Sequence, residues 1–345
     1  MTIDFRHERF TAELLDPRRG FEPTRTEVEV RWDPLTGQSC RLLPSGTMMP
    51  PAAQDLEALA ERSRPTCPFC AERVEQETPR FPEAVLSGGR VRVGEALLFP
   101  NLLPYAKWSS VSVYSPERHV LPLEELTPSL FADNLAAQVE FARAVLAHDP
   151  TSAWVSINAN QLPPSGSSIF HPHLQGAAHP VPTTVQRVFA ELDAARLRQH
   201  VELERAAGER FIATVGPVEW LASFAPGGLA EIRGVVSGAG STVDLERERI
   251  ASLASGLSAV LLLYARLGFQ SFNLAIHGAG SGDRDPMLVL RVVARAFFGP
   301  LLRSDVMWSE GLHAEVATDL WPERVAELVR DAFALRANRQ QDRQR

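Results

Sequence analysis

The stretch His171-Pro172-His173-Leu174-Gln175 places two imidazoles and an amide within five residues. On an extended strand, histidines at i and i+2 point to the same side. One can then face a substrate while the other binds a metal or neighbouring groups. A neutral imidazole has its pKa near working pH and attacks phosphorus well. Asn160 and the turn Gly166-Ser167-Ser168 precede the pair. Their N–H and O–H donors suit phosphate oxygens. The expected chemistry is nucleophilic attack by a histidine on a nucleotide phosphate. Two nearby histidines also arise by chance. The ordered run of Asn, Gly-Ser-Ser, His-Pro-His and Gln carries the functional reading.

Cys67-Pro68-Phe69-Cys70 is a C-x2-C knuckle, a spacing that lets two thiolates hold one Zn2+. Two later histidines would close a tetrahedral site, and His119 and His171 are the candidates. The rivals are two free thiols and a redox pair, which needs a strand before the knuckle and a helix after it. Arg62 to Thr66 does not read as a strand, which places zinc ahead of redox. By itself His119 would read as an exposed loop histidine. His7, His148, His200 and His313 read as surface residues, with His179 and His277 intermediate.

The rest of the chain narrows the function classes. It has 345 residues, 45% of them hydrophobic, enough for a sizeable core. A net charge of −7 argues against a broad nucleic-acid surface. Lys107 is the only lysine, so Schiff-base chemistry has one candidate. Three cysteines do not make a disulfide scaffold. Met1 to His7 has no apolar signal core, and the longest apolar run, Ala259 to Tyr264, is too short to span a bilayer. The expectation is a soluble cytoplasmic protein.

The elements that would position these residues come in a repeated order. Residues 1 to about 65 are rich in Pro, Gly and charge, with a β-like piece at Glu27 to Trp32 and a turn at Asp33 to Gly37. Strands are predicted at Arg90–Val93, Ala96–Phe99 and Ser109–Val113, then a helix from Thr127-Pro128 to before His148. A strand at Trp154–Asn158 leads through a Gly/Pro/Ser loop to the histidine pair. The second half predicts strands at Glu219–Phe224 and Glu231–Val236, and a helix from Asp244 to Leu267 that stops at Gly268. A strand at Ser271–Ile276, a loop at Gly278–Asp285 and a strand at Met287–Val293 follow. The order helix, Ser-x-Asn strand, loop, strand therefore occurs twice, and the second copy lacks the histidine pair. Thr183 to Arg210 reads as a helix joining the halves, and Pro322 to Asn338 as a closing helix.

Taken together, these residues resemble the galactose-1-phosphate uridylyltransferase family of the histidine-triad superfamily. The resemblance rests on Asn160, Gly166, Ser168 and His171 to Gln175, and more weakly on Asp33–Gly37, Cys67–Cys70, Phe99-Pro100-Asn101, Ser115–His119 and Pro300–Ser304. It implies that His173 is the nucleophile of a covalent nucleotidyl-histidine and that Gln175 holds a non-bridging phosphate oxygen. It further implies that Asn160, Gly166 and Ser168 line the phosphates and that Asn101 touches the nucleotide. Cys67, Cys70, His119 and His171 would hold structural zinc. In the hydrolase branch a third histidine replaces Gln175. A glutamine amide is neither acid nor base, which favours a phosphate acceptor over water. The chain also departs from the family. Arg118 lies where the family's histidine would fall, Leu102 replaces an aspartate, and Cys40–Pro44 replaces an arginine-rich segment. Ala294-Arg295-Ala296 stands in place of a second histidine pair, which makes an auxiliary metal site unexpected. Within Met307–Leu312 only Glu310 resembles a sugar contact.

The sequence therefore predicts an α+β protein of two histidine-triad-like halves, each an antiparallel sheet flanked by helices. The expected divisions are an N-terminal arm at 1–65, a half with knuckle and active site at 66–182, and a half without the histidine pair at 183–345. The expected function is transfer of a nucleoside monophosphate from a nucleotide donor, such as a UDP-sugar, to a sugar phosphate. The expected cofactor is zinc and the expected assembly a homodimer. The alternatives are a nucleotide-sugar or dinucleotide phosphorylase using inorganic phosphate, and a non-catalytic zinc-binding module on the same fold.

Overall fold

The computed structural model describes residues 3–279, 286–297, 299 and 305–344, the side chains of 279 and 336–344 excepted. The segment 300–304 and most of the loop after Gly278 lie outside the described residues. Two sheets are present among the described residues. In the smaller, β1 (His7–Asp16) and β2 (Glu22–Trp32) form a hairpin, and β2 continues to β3 (Ser39–Leu42). The segment expected as an arm is thus largely a long hairpin. Its sheet is completed in parallel by β14 (Val316–Thr318), from near the other end of the chain. Between the sheets, α1 (Leu56–Ser63) and the short α2 (Val74–Glu77) flank the cysteine knuckle.

The larger sheet has ten strands. The first half supplies β4 (Val91–Val93), β5 (Ala96–Pro100), β6 (Trp108–Val113), helix α3 (Pro128–His148), β7 (Trp154–Gln161) and β8 (His173–His179). After α4 (Thr184–Ala190) and α5 (Ala194–Ala207), the second half repeats the pattern. It comprises β9 (Phe211–Val215), β10 (Val218–Ala222), β11 (Leu229–Ser237), helix α6 (Arg247–Arg266), β12 (Ser271–Ala279) and β13 (Met287–Arg295). The strand order is β4-β5-β6-β8-β7-β12-β13-β11-β10-β9, so each half has the same order read from opposite edges. The halves meet where β7 pairs antiparallel with β12. The short α7 (Trp308–His313) and, beyond β14, the long α8 (Pro322–Gln344) end the described chain.

Alternation along the strands sorts the faces. Ile157, Ala159, Leu174, Leu274, Ile276, Leu290 and Val292 turn to one side and pack with Leu135 and Val139 of α3, Leu253 and Leu257 of α6, and Val325 of α8. Each such side chain, fully buried, contributes about 1.5–3 kcal/mol relative to exposure. This burial explains why α6 is long and apolar enough to cross a bilayer by composition alone. Within the protein 67% of that apolar stretch is buried, so it is a core helix. The intervening residues, His173, Gln175, Asn158, Asn160, Asn273 and His277, face the other way.

Several local readings change. Thr183 to Arg210 is two helices, broken at Glu191–Asp193, where Asp193 caps α5 through Ala195 N–H at 2.9 Å. Strand β9 was not legible because Ala213 and Thr214 interrupt its short apolar run. His200, expected at the surface, is buried on α5 beside the Phe5 ring at 5.6 Å. The turn at Asp33 forms as expected: its Oδ1 accepts from Leu35 N at 2.8 Å and Thr36 N at 2.9 Å. Its Oδ2 pairs with buried Arg233, tying the N-terminal region to the large sheet.

A histidine and cysteine site on the open sheet face

The knuckle comes from the loop after α1, where Phe69 N donates to Cys67 Sγ at 3.4 Å and Ala71 N to Pro116 O at 3.1 Å. These bonds fold the knuckle over the end of β6 and bring it to the two histidines. Cys67, Cys70, His119 and His171 are all buried, with their ligand atoms within 4.8 Å of one another. Cys70 Sγ lies 3.2 Å from His119 Nδ1 and 3.7 Å from His171 Nδ1, and Cys67 Sγ lies 3.7 Å from His171 Nδ1. Bonds of about 2.3 Å to sulfur and 2.0–2.1 Å to nitrogen give a tetrahedral N···S edge of roughly 3.5 Å. The observed separations match that edge. His119 joins the cluster despite standing one residue past the expected position.

The hydrogen bonds around the rings fix which nitrogen faces the cluster. His171 Nε2 lies 2.9 Å from the Ser115 carbonyl, which only accepts, so Nε2 carries the proton and Nδ1 the lone pair. Ser63 Oγ donates its single hydrogen to the Leu59 or Ala60 carbonyl, at 2.9 and 3.2 Å. It must therefore accept from His119 Nε2, 2.8 Å away, leaving the His119 lone pair on Nδ1 towards Cys70. Both histidines are set as ligands, in the way outer hydrogen bonds orient metal-binding imidazoles. Burial pushes His171 down to about 3 and lowers His119, keeping both neutral. Burial and the neighbouring Cys67 push the Cys70 thiol up to about 12, and a bound cation would reverse that. The donor set fits a closed zinc site.

His171 does not lie on the strand with His173. It sits in the bend just before β8, which begins at His173. From there the His171 carbonyl accepts from His173 Nδ1 at 2.8 Å. The proton is thus on Nδ1 and the free lone pair on Nε2. The His173 ring packs edge-on to Phe69 at 5.6 Å, and burial lowers its pKa, which keeps the imidazole unprotonated. Phe69 also lies 6.2 Å from the His171 ring and 5.1 Å from Phe99, so one aromatic wall serves knuckle and strand.

The other expected residues fall around this point. Gln175 pairs with Val111 on one side and Asn158 on the other, and its Nε2 donates to Tyr105 Oη at 2.9 Å. Asn101 starts the turn that delivers Tyr105: its Oδ1 accepts from Leu103 N at 3.1 Å. Asn160 Oδ1 accepts from Asn273 Nδ2 at 2.7 Å. Gly166 and Ser168 are exposed at the mouth of the loop, and Gly166 adopts a φ of +89° that favours glycine. Glu310, on α7, lies 3.6 Å from Arg295 at the end of β13. Tyr105, Ser63, Phe69, Asn158 and Asn273 were not predicted. Only the two asparagines left a signal, as the last residues of the repeated Ser-x-Asn. A cavity of about 280 Å³, lined by Asn158, Asn273, His277 and Arg291 among others, opens on the same face.

No protein-family model matches the chain. It is similar to a protein of Archaeoglobus fulgidus described only as uncharacterized, with 31% identity over 343 residues, covering 96% of this chain and 99% of that protein. Among solved structures it is similar to an ADP-glucose phosphorylase from Arabidopsis thaliana with bound ADP-glucose. The TM-score is 0.63 at 19% identity, covering 88% of this chain and 99% of that one. A uridylyltransferase gives a TM-score of 0.57 at 19% identity, covering 89% and 98%. The resemblance read from sequence is borne out in the fold, which is the uridylyltransferase-like α+β fold in a divergent chain.

Proposed function

For a chain that belongs to one family with the archaeal protein and carries the uridylyltransferase fold, we propose a nucleotidyltransferase working through nucleotidyl-His173. The observation that carries this is the His173 Nδ1–H bond to the His171 carbonyl, which leaves Nε2 as the nucleophile. In the first half-reaction the Nε2 lone pair forms an N–P bond to the donor's α-phosphorus. The bond from that phosphorus to the bridging oxygen breaks, and the sugar phosphate departs with the electron pair. In the second, an oxygen of a phosphate-bearing acceptor forms the new P–O bond and the N–P bond breaks. The Gln175 amide, Asn160 and Ser168 contact phosphate oxygens, with Gly166 giving the backbone room, and Asn101 meets the nucleotide. Cys67, Cys70, His119 and His171 hold zinc, whose contribution when bound is structural, pinning the knuckle to the base of β8. Without an acid or base at Gln175, an acceptor that brings its own anionic oxygen is favoured over water.

The proposed acceptor is a sugar phosphate. A second reading, inorganic phosphate, is supported by α7: Trp308 and Leu312 are 72% and 83% exposed where the family has a sugar-recognition stretch. One experiment tests both. The protein is incubated with UDP-glucose, ADP-glucose or a diadenosine polyphosphate radiolabelled in the nucleoside monophosphate. Acid-labile, alkali-stable label on the wild type and none on His173→Ala is expected. No label from any nucleotide would overturn the mechanism. Discharge by inorganic phosphate alone would select the second reading.

A further inference from the structure

The half without the histidine pair sets one side chain, Asn273, against the strand and loop of the other half. Asn273 lies on β12, directly across from Asn160 on β7. Its Nδ2 is 2.7 Å from Asn160 Oδ1, 2.9 Å from the Ser165 carbonyl and 3.3 Å from the Ala159 carbonyl. Carbonyl oxygens only accept, so two of these contacts identify this end of Asn273 as the donor. The Asn160 atom facing it must then be the acceptor, Oδ1. The NH2 of Asn160 is turned away from β12 and meets no protein acceptor among the described residues. Asn158 pairs with Gln175 at the end of the β7–β8 ladder, and Asn160 lies two residues further along β7, on the same face as Asn158. The same Nδ2 holds Ser165, whose backbone begins the Gly166–Ser168 loop.

We propose that Asn273 is a positioning residue for nucleotidyl transfer. It locks the Asn160 amide with its donors outward, towards phosphate, and anchors the loop that carries Ser168. This rests on the nucleotidyl-His173 reading. An amide that could flip would offer phosphate an oxygen half of the time, and an oxygen repels phosphate. Asn273 acts through Asn160 and the loop and need not touch substrate itself.

The test is Asn273→Asp, which keeps size and shape but removes the donor and sets a carboxylate against three acceptors. Single-turnover labelling of His173 is measured for wild type, Asn273→Asp, Asn273→Ala, Asn160→Ala and the double variant Asn160→Ala/Asn273→Ala, with zinc content and thermal unfolding recorded for each. Asn273→Asp is expected to slow labelling by about 10- to 100-fold, as losses of supporting hydrogen bonds commonly do, with zinc retained. The double variant is expected to lose clearly less than the product of the two single losses, because the share that passes through Asn160 is common to both. Wild-type labelling in Asn273→Asp would overturn the role of Asn273 alone, and so would multiplicative losses in the double variant. No label on the wild type would overturn the nucleotidyl-His173 reading, and this inference with it.

Discussion

The carbonyl oxygen of His171 accepts the Nδ1 proton of His173 at 2.8 Å, while the ring of His171 turns its own Nδ1 towards Cys67 and Cys70. One residue thus grips the cluster by its side chain and the proposed nucleophile by its backbone. Any movement of the cluster is transmitted to the His173 ring across a single residue, Pro172.

Metal removal should therefore act on both. Cys67→Ser is expected to lower bound zinc from about one ion per chain towards zero, because three ligands no longer close a tetrahedral site. Elemental analysis reads the metal, and single-turnover labelling reads His173. Full-rate labelling in metal-free protein would show that the cluster does not hold the nucleophile.

The three thiols should respond differently to chelation. Burial pushes Cys40 up to about 12, and it lies between Leu42 and Phe224 in a separate apolar cluster. Iodoacetamide at neutral pH is expected to spare all three in the zinc-loaded protein, modify Cys67 first after chelation, and reach Cys70, itself pushed up to about 12, and Cys40 only on unfolding. Peptide mass mapping decides it. Modification of Cys40 in folded protein would contradict its burial.

Gln175→His should change the fate of the intermediate. A histidine there can pass a proton, and a placed acid or base contributes about 10²- to 10⁴-fold. Loss of label to water is expected to quicken by at least about 10-fold relative to discharge by a phosphate acceptor. An unchanged ratio would show that Gln175 does not govern the choice.

Gly176→Ala should loosen the strand from beneath. An added Cβ would meet the Gln138 and Ser110 side chains, which bond each other at 2.9 Å under β8. Overpacking of this kind costs about 1–3 kcal/mol. Denaturant unfolding is expected to show that loss. A neutral result would mean that α3 yields freely to the strand.

Acid should weaken the buried charge cluster of the second half. Burial alone would raise Glu231, but Arg291 and Arg233 outweigh it and leave it at about 2, and Arg233 likewise holds Asp33 below its usual range. A carboxylate whose folded pKa is depressed adds stability above its unfolded pKa and loses it as pH falls towards the folded value. Stability is therefore expected to fall between about pH 5 and pH 2. Glu231→Gln should be less stable at pH 7, with two arginines left poorly paired, yet lose less over that range. Parallel pH curves for the two proteins would refute the assignment.

The order of residues by itself determined the chemistry-bearing types, the repeated helix–strand–loop–strand pattern and the α+β class. These depend on local spacing, such as the recurrence of Ser-x-Asn and the apolar stripe of α3. Only the tertiary structure decided which histidines meet the knuckle, since Cys67 and His171 are 104 residues apart and Cys70 and His119 49. It decided the ring protons too, because the Ser115 carbonyl and the Ser63 hydroxyl reach their histidines only through folding. It also placed Asn273 against Asn160, 113 residues away. Local periodicity reports which face a side chain takes. It does not report which distant donor or acceptor will stand opposite, and hydrogen-bond direction is set there.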